Sequence, residues 1–231
     1  MRPSEILRLD KKHVFRKQFA PFIIDSGRGS TITDVYGKKY IDLLGGLYGA
    51  ISIGWQDPEV IMAMKMQMDK CNFAPERAPS ESCSMLAKQL VDLTEGKLQK
   101  CLRATSGTEA VELAIKAARA YSRKKRVISA YNSYHGQGYA GMSVQGSHNS
   151  SERYGPLLPK VNFMSFPYSY RVNEKRFGSV NECLKKLRNR IRIRNDVCAI
   201  IIEPVQGEGV IAPLLNSLRE SGKYAMQNQF F

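Results

Sequence analysis

The residues best suited to chemistry lie in one stretch, Ala104-Thr105-Ser106-Gly107-Thr108-Glu109-Ala110. A short extended run, Cys101 to Ala104, leads into it. A helical pattern leads out, with Val111, Ile115, Ala118 and Ser122 on one face. Ser106, Gly107 and Thr108 thus form a turn at a helix start. The first N–H groups of a helix lack partners within it, and the helix dipole adds positive potential in front of them. Glycine lets the backbone approach a ligand and the hydroxyls add donors, so the turn suits a phosphate. A second reading needs no ligand. Ser106 and Glu109 have the S-x-x-E spacing of a capping box, which satisfies the orphan N–H groups internally.

The elements around this turn decide where it points. From about residue 100 the pattern reads strand, helix, strand, loop, helix, strand. The second strand is Arg126 to Tyr131. The second helix spans about Val180 to Arg190, with Val180, Leu184, Leu187 and Ile191 on one face. The last strand is Cys198 to Ile202, a β-branched run suited to burial on both faces. That order predicts an α/β chain with a mostly parallel sheet, whose ligands bind beyond the carboxyl ends of the strands. Three segments fall at those ends: Ser106-Gly107-Thr108, Tyr134-His135-Gly136, and Glu203. They offer a phosphate cradle, an aromatic ring beside an imidazole, and a carboxylate at the tip of an apolar strand, where it requires a partner. The set fits a planar, phosphorylated ring compound.

Before residue 100 the pattern is different. Residues 1 to about 20 form an amphipathic lead. Gly29 to Leu43 reads as a β-hairpin turning at Tyr36-Gly37-Lys38. Leu44 to Trp55 is apolar but holds four glycines, which predicts a closely packed loop. Pro58 opens a helix to about Lys70 with Asp57 as its cap, and a further helix runs from about Ser82 to Leu93. Met62, Met64, Met66 and Met68 are expected to fill gaps in a core. Cys71 to Ser80 and Gln145 to Lys160 read as loops.

Composition sets limits. The chain of 231 residues is 43% hydrophobic, enough for a sizeable core. No run of about eighteen apolar residues and no apolar leader occurs, so no membrane association and a cytoplasmic location are expected. The five cysteines, Cys71, Cys83, Cys101, Cys183 and Cys198, form no C-x-x-C pair and are expected to be reduced and mostly buried. His13, His135 and His148 are too scattered for a zinc site, and no metal is expected. The net charge of +14 raises the question of a polyanion partner. Its clusters, Arg123 to Arg126 and Lys185 to Arg194, sit at helix ends without interleaved aromatic rings, so a solvated surface is favoured and no nucleic acid is expected.

Five blocks in order resemble the class III aminotransferases: Asp34-x-x-Gly37-x-x-Tyr40-Ile41-Asp42, Gly45-Gly46, Ser106 to Ala110, Tyr134-His135-Gly136, and Ile202 to Gly209. The resemblance runs from about Ile24 to about Ala212, and Phe166 to Arg171 looks most like 4-aminobutyrate aminotransferases. It implies the aspartate-aminotransferase-like fold (fold type I) and pyridoxal 5′-phosphate (PLP) as cofactor. On that fold, residues 1–75 would belong to a small N-terminal lobe and 76–231 to the first half of the large cofactor-binding domain. The amides of Gly107 and Thr108 would hold the cofactor phosphate, with Ser106 shaping the turn. Tyr134 would stack on the pyridine ring with His135 close by. Glu203 would order the groups that position the substrate. The implied reaction moves an amino group from an ω-amino acid to a keto acid, with the cofactor as electron sink, in a homodimer when the protein is complete.

The sequence also departs from the family. The Asp-Glu block that pairs the ring nitrogen and the Schiff-base lysine are not found, so the chain is expected to be truncated, poorly stable and inactive alone. Acetylornithine-type members carry an arginine after the Tyr-His-Gly block, where this chain has Gln137, and a neutral amide makes no bidentate charged clamp. Three alternatives stay open: a non-catalytic remnant or cofactor-binding fragment, a decarboxylating transaminase, and an aminomutase.

Overall fold

A computed structural model describes residues 1–15, 20, 22–46, 49–146, 154–171 and 177–213. Residues 147–153 of the Gln145–Lys160 loop, His148 among them, and everything after Pro213 lie outside the described residues. The chain divides into two units, Met1–Ser84 and Met85–Phe231.

The first unit opens with α1 (Pro3–His13) and continues into an antiparallel sheet of β1 (Ile24–Arg28), β2 (Thr31–Asp34) and β3 (Lys39–Ile41). The expected hairpin is β2–β3. Asp34 explains its sequence signature. Its carboxylate accepts from the Tyr36 and Lys38 amides, both at 2.9 Å, and from the Tyr40 hydroxyl at 3.0 Å. Gly37, at φ +80°, takes the left-handed turn that these bonds close. Asp42 ties the glycine-rich loop in the same manner, accepting from the Gly46 amide and the Trp55 indole, each at 2.7 Å. The helix α2 (Pro58–Lys70) begins where expected, with the Asp57 carboxylate accepting from the Glu59 and Val60 amides.

Three expectations need correction. The methionines of α2 fill no core: Met62, Met64, Met66 and Met68 are all more than half exposed. Residues two apart on a helix point about 200° apart, so these four cannot share one buried face. The cysteines are not mostly buried either, because Cys71, Cys83 and Cys101 are exposed while Cys183 and Cys198 are buried. Cys101–Ala104 forms no strand. A strand needs a neighbour for its backbone groups, and none of the described strands pairs with it.

The helix α3 (Glu81–Leu93) straddles the boundary between the units. The second unit continues with α4 (Gly107–Ser122), β4 (Arg126–Ala130), α5 (Tyr139–Val144), β5 (Val161–Met164), two-residue β6 (Phe166–Pro167) and β7 (Phe177–Gly178), α6 (Val180–Ile193) and β8 (Val197–Ile201). Its sheet is parallel, in the order β5-β4-β8. One cluster packs Ile115 and Ala118 of α4 and Val144 of α5 against Val127 and Cys198. Another packs Leu187 and Ile191 of α6 against Ile128, Met164 and Val197. The central strand is thus covered on both faces. Sequence reading missed β1, α5, the edge strand β5 and the two-residue β6 and β7; α5 is six residues long and follows two glycines, Gly136 and Gly138.

At the amino ends of the strands, Arg126 joins all three. It donates to Asp196 at 2.7 and 3.1 Å and to the Asn162 side chain at 2.5 Å. The Arg126 hydrogen bonds hold the Asp196 carboxyl below its ordinary range. The carboxyl ends are left to the loops of the site. Because Leu187 is almost wholly buried, Leu187→Ala should cost about 2–5 kcal/mol, read as a lower urea midpoint. A loss below about 1 kcal/mol would show that α6 does not pack on the sheet.

Candidate functional site

Ser106 is the N-cap of α4. Its backbone is extended (φ −158°, ψ 163°) and its hydroxyl accepts from the Glu109 amide at 3.2 Å. The returning half of a capping box is redirected, since the Glu109 carboxylate takes the Thr105 amide and hydroxyl, both at 2.6 Å. Ser106 therefore satisfies one orphan N–H and leaves others. Among the described residues the Gly107 and Thr108 amides have no acceptor. The space at Gly107 is open, as a Cβ there would meet nothing within 4 Å. The two unpaired amides lie at the positive end of a sixteen-residue helix, where the dipole favours an anion.

The Tyr134-His135-Gly136 loop is brought to this helix start by close packing. Gly136, at φ +103°, lies where a Cβ would fall 2.8 Å from the Thr108 hydroxyl. The same Thr108 hydroxyl accepts from the Gln137 amide at 3.3 Å. Glu112, one turn along α4, accepts from the Ala140 and Gly141 amides at 2.7 and 3.0 Å and so caps α5. No sequence signal pointed to Glu112, because its partners lie far along the chain.

Glu203 completes the group. The register pairs Ser129 of β4 with Ile201 of β8, so the loops after both strands emerge side by side. The Glu203 carboxylate accepts from the Tyr134 amide at 3.0 Å through one oxygen and from the Gly207 amide at 3.1 Å through the other. Its expected partner is thus backbone rather than a cation. Tyr134 is 46% exposed, so it is open to solvent in the loop that packs on the helix start.

His135 is buried beneath this loop. The Ser129 hydroxyl donates to the Val144 carbonyl at 2.7 Å and lies 3.4 Å from His135 Nε2. With its proton committed, Ser129 Oγ acts as acceptor, which places the imidazole proton on Nε2. Burial pushes the His135 pKa below its ordinary 6.5, while the nearby Glu203 charge pulls it upward.

All five residues expected to meet the cofactor, Ser106, Gly107, Thr108, Tyr134 and His135, therefore occur in one unit with Glu203. They fit a phosphorylated planar ring: paired free amides with open space before them, a half-exposed aromatic face, and no side chain filling the Gly107 position. Among the described residues no group of His, Cys, Asp and Glu is arranged to hold a metal ion. Among the same residues no helix is long and apolar enough to cross a membrane.

Comparison with known proteins points the same way. The model of the family described as aminotransferase class-III matches residues 14–229. A putrescine aminotransferase from Pectobacterium atrosepticum is 33% identical over 193 residues, covering 82% of this chain and 39% of that protein. A thermostable (S)-enantioselective omega-transaminase from Thermomicrobium roseum superposes with a TM-score of 0.90 at 26% identity, covering 100% of this chain and 56% of the other. A PLP-bound amine transaminase from an uncultivated Pseudomonas species superposes at 0.82 and 26% identity, covering 94% and 53%. The chain belongs to the class III aminotransferases, a family of PLP enzymes with this α/β fold. It spans 39% of that curated relative and little more than half of those solved chains.

His135 gives the site a pH signature. A group buried neutral contributes full stability above its ordinary value of 6.5, and that contribution is lost as pH falls toward the lower folded value. Between about pH 7.5 and about pH 5.5, wild type should lose more stability than His135→Asn. Equal losses in urea titrations would show that the imidazole is not buried beneath the loop.

Proposed function

We propose that this chain forms the phosphate- and ring-holding part of a class III aminotransferase site, for transfer of an amino group from an ω-amino acid or similar terminal amine to a keto acid. The observation that carries the reading is that Tyr134 and Glu203 meet beyond the carboxyl ends of neighbouring parallel strands, with the free amides at the start of α4 tied to the same loop through Thr108 and Gln137. When bound, PLP supplies the electron sink for the transfer. The residues of this chain seat, orient and shield it. Gly107 and Thr108 donate N–H groups to the phosphate, aided by the α4 dipole. Tyr134 covers one ring face and excludes water there. Glu203 holds the Tyr134 backbone, and His135, neutral at neutral pH, adds no charge beneath the ring.

The donor class is supported by three observations. Gln137 offers no charged clamp for a carboxylate. The Phe166–Arg171 stretch resembles 4-aminobutyrate aminotransferases. The relatives are named for putrescine and for amine or ω-transaminase activity. No lysine among the 231 residues sits in the Schiff-base motif, so we place this chain as cofactor-binding rather than self-sufficient in turnover. The domain division at about residue 75 and a homodimer belong to the same reading. The homodimer is proposed for the complete protein, and analytical ultracentrifugation of a full-length form should show a dimer, with monomer alone contradicting it.

Equilibrium dialysis tests the cofactor site. Gly107→Asp should weaken PLP binding at least roughly tenfold, by opposing the phosphate charge, while leaving the affinity for pyridoxal nearly unchanged. Tyr134→Ala should weaken both. Binding of PLP that ignores both substitutions, or amine-dependent turnover by this chain alone, would overturn the respective parts of the proposal.

A further inference from the structure

Gln206, in the turn after Glu203, is wholly buried. Its backbone exchanges hydrogen bonds with Ile211 at 2.9 and 3.1 Å, which closes the 206–211 turn. Its side-chain Nε2 donates to the Tyr131 carbonyl at 2.8 Å. A carbonyl only accepts, so this contact identifies the nitrogen end of the amide. The other end, Oε1, is buried and has no donor among the described residues. An unpaired buried acceptor is unfavourable, and a methionine of similar length would avoid it. Stability alone therefore does not call for glutamine here, whereas holding the Tyr131 carbonyl does.

That carbonyl marks the root of the site loop. The Tyr131 amide still donates to Met164 at 2.9 Å, extending the β4–β5 ladder by one residue. The next residue, Asn132, sits at φ +62°, and the chain leaves the sheet there. Two residues later the Tyr134 amide meets Glu203. The 131–136 loop is thus held at its root by Gln206 and near its tip by Glu203, both from the segment after β8.

We propose that Gln206 is a positioning residue. By fixing the Tyr131 carbonyl it sets the direction in which the loop leaves β4, and hence the attitude of the Tyr134 ring toward a bound pyridine ring. This rests on the reading of the site as a PLP site.

Gln206→Met removes the amide at nearly constant length. Hydrogen–deuterium exchange should quicken at least about fivefold in peptides covering 131–136, with α6 unchanged. Equilibrium dialysis should show roughly tenfold weaker PLP binding with the affinity for inorganic phosphate unchanged. In a Tyr134→Ala background the substitution should cost no further PLP affinity, because its effect acts through that ring. Unchanged exchange and affinity would overturn the proposal. So would equal losses for PLP and phosphate, or faster exchange throughout the second unit, since these indicate a purely structural role. If Gln206→Met does not fold, Gln206→Asn, whose amide is too short to reach Tyr131, is judged by the same outcomes. If wild type binds no PLP, the reading of this chain as a cofactor-binding unit fails, while the exchange measurement still decides whether Gln206 holds the loop.

Discussion

One carboxylate at the tip of one strand holds two loops at once. Glu203 uses each oxygen on a different backbone amide, Tyr134 on one side and Gly207 on the other. Hydrogen bonds to an ionised acceptor are shorter and stronger than neutral ones. A glutamine there would keep a single good acceptor and place a donor against one of the two amides. The parallel register of β4 and β8 brings the loops near each other, and the carboxylate converts nearness into a fixed arrangement. The start of α4 joins the same assembly through Thr108, whose hydroxyl accepts from Gln137 just past the Tyr-His-Gly block. The site is therefore built from backbone held by side chains, with the outward-facing amides left free.

Much of this was legible because local physics wrote it into short windows. Ser106 with Glu109 announced a helix start, and the free amides follow from any such start. Asp57-Pro58 marked α2 to the residue. Asp34, Gly37 and Tyr40 carried the hairpin, and their spacing matches the bonds found among them. Glu203 was expected to need a partner because it ends an apolar strand. What stayed hidden is long-range. Glu112 caps a helix that begins 27 residues later, and Gln206 reaches back to Tyr131, so neither pairing leaves a periodic trace. β1 was missed because its register slips between Ile24 and Ser26 and a glycine sits inside it. The methionines of α2 mislead because their composition suggests a core that their helical phase forbids.

The strong positive charge has a structural side. Arg119 donates to the Lys125 and Pro159 carbonyls, Arg190 to the Phe163 carbonyl, and Arg126 to Asp196 and Asn162. Arg119 and Arg126 tie the amino ends of the strands and their connections, on the side away from the site, and Arg190 ties α6 to β5. The sheet thus has a pole tied by side-chain charges and a pole where amides and an aromatic face are presented outward. That division is what an α/β sheet offers a ligand.

The most direct test is an NMR titration of the isotope-labelled chain with PLP. The Gly107 and Thr108 amides should move first and furthest, together with the backbone of Tyr134. Shifts confined to the lysine- and arginine-rich α6, or none at saturating PLP, would refute a phosphate seat at the start of α4.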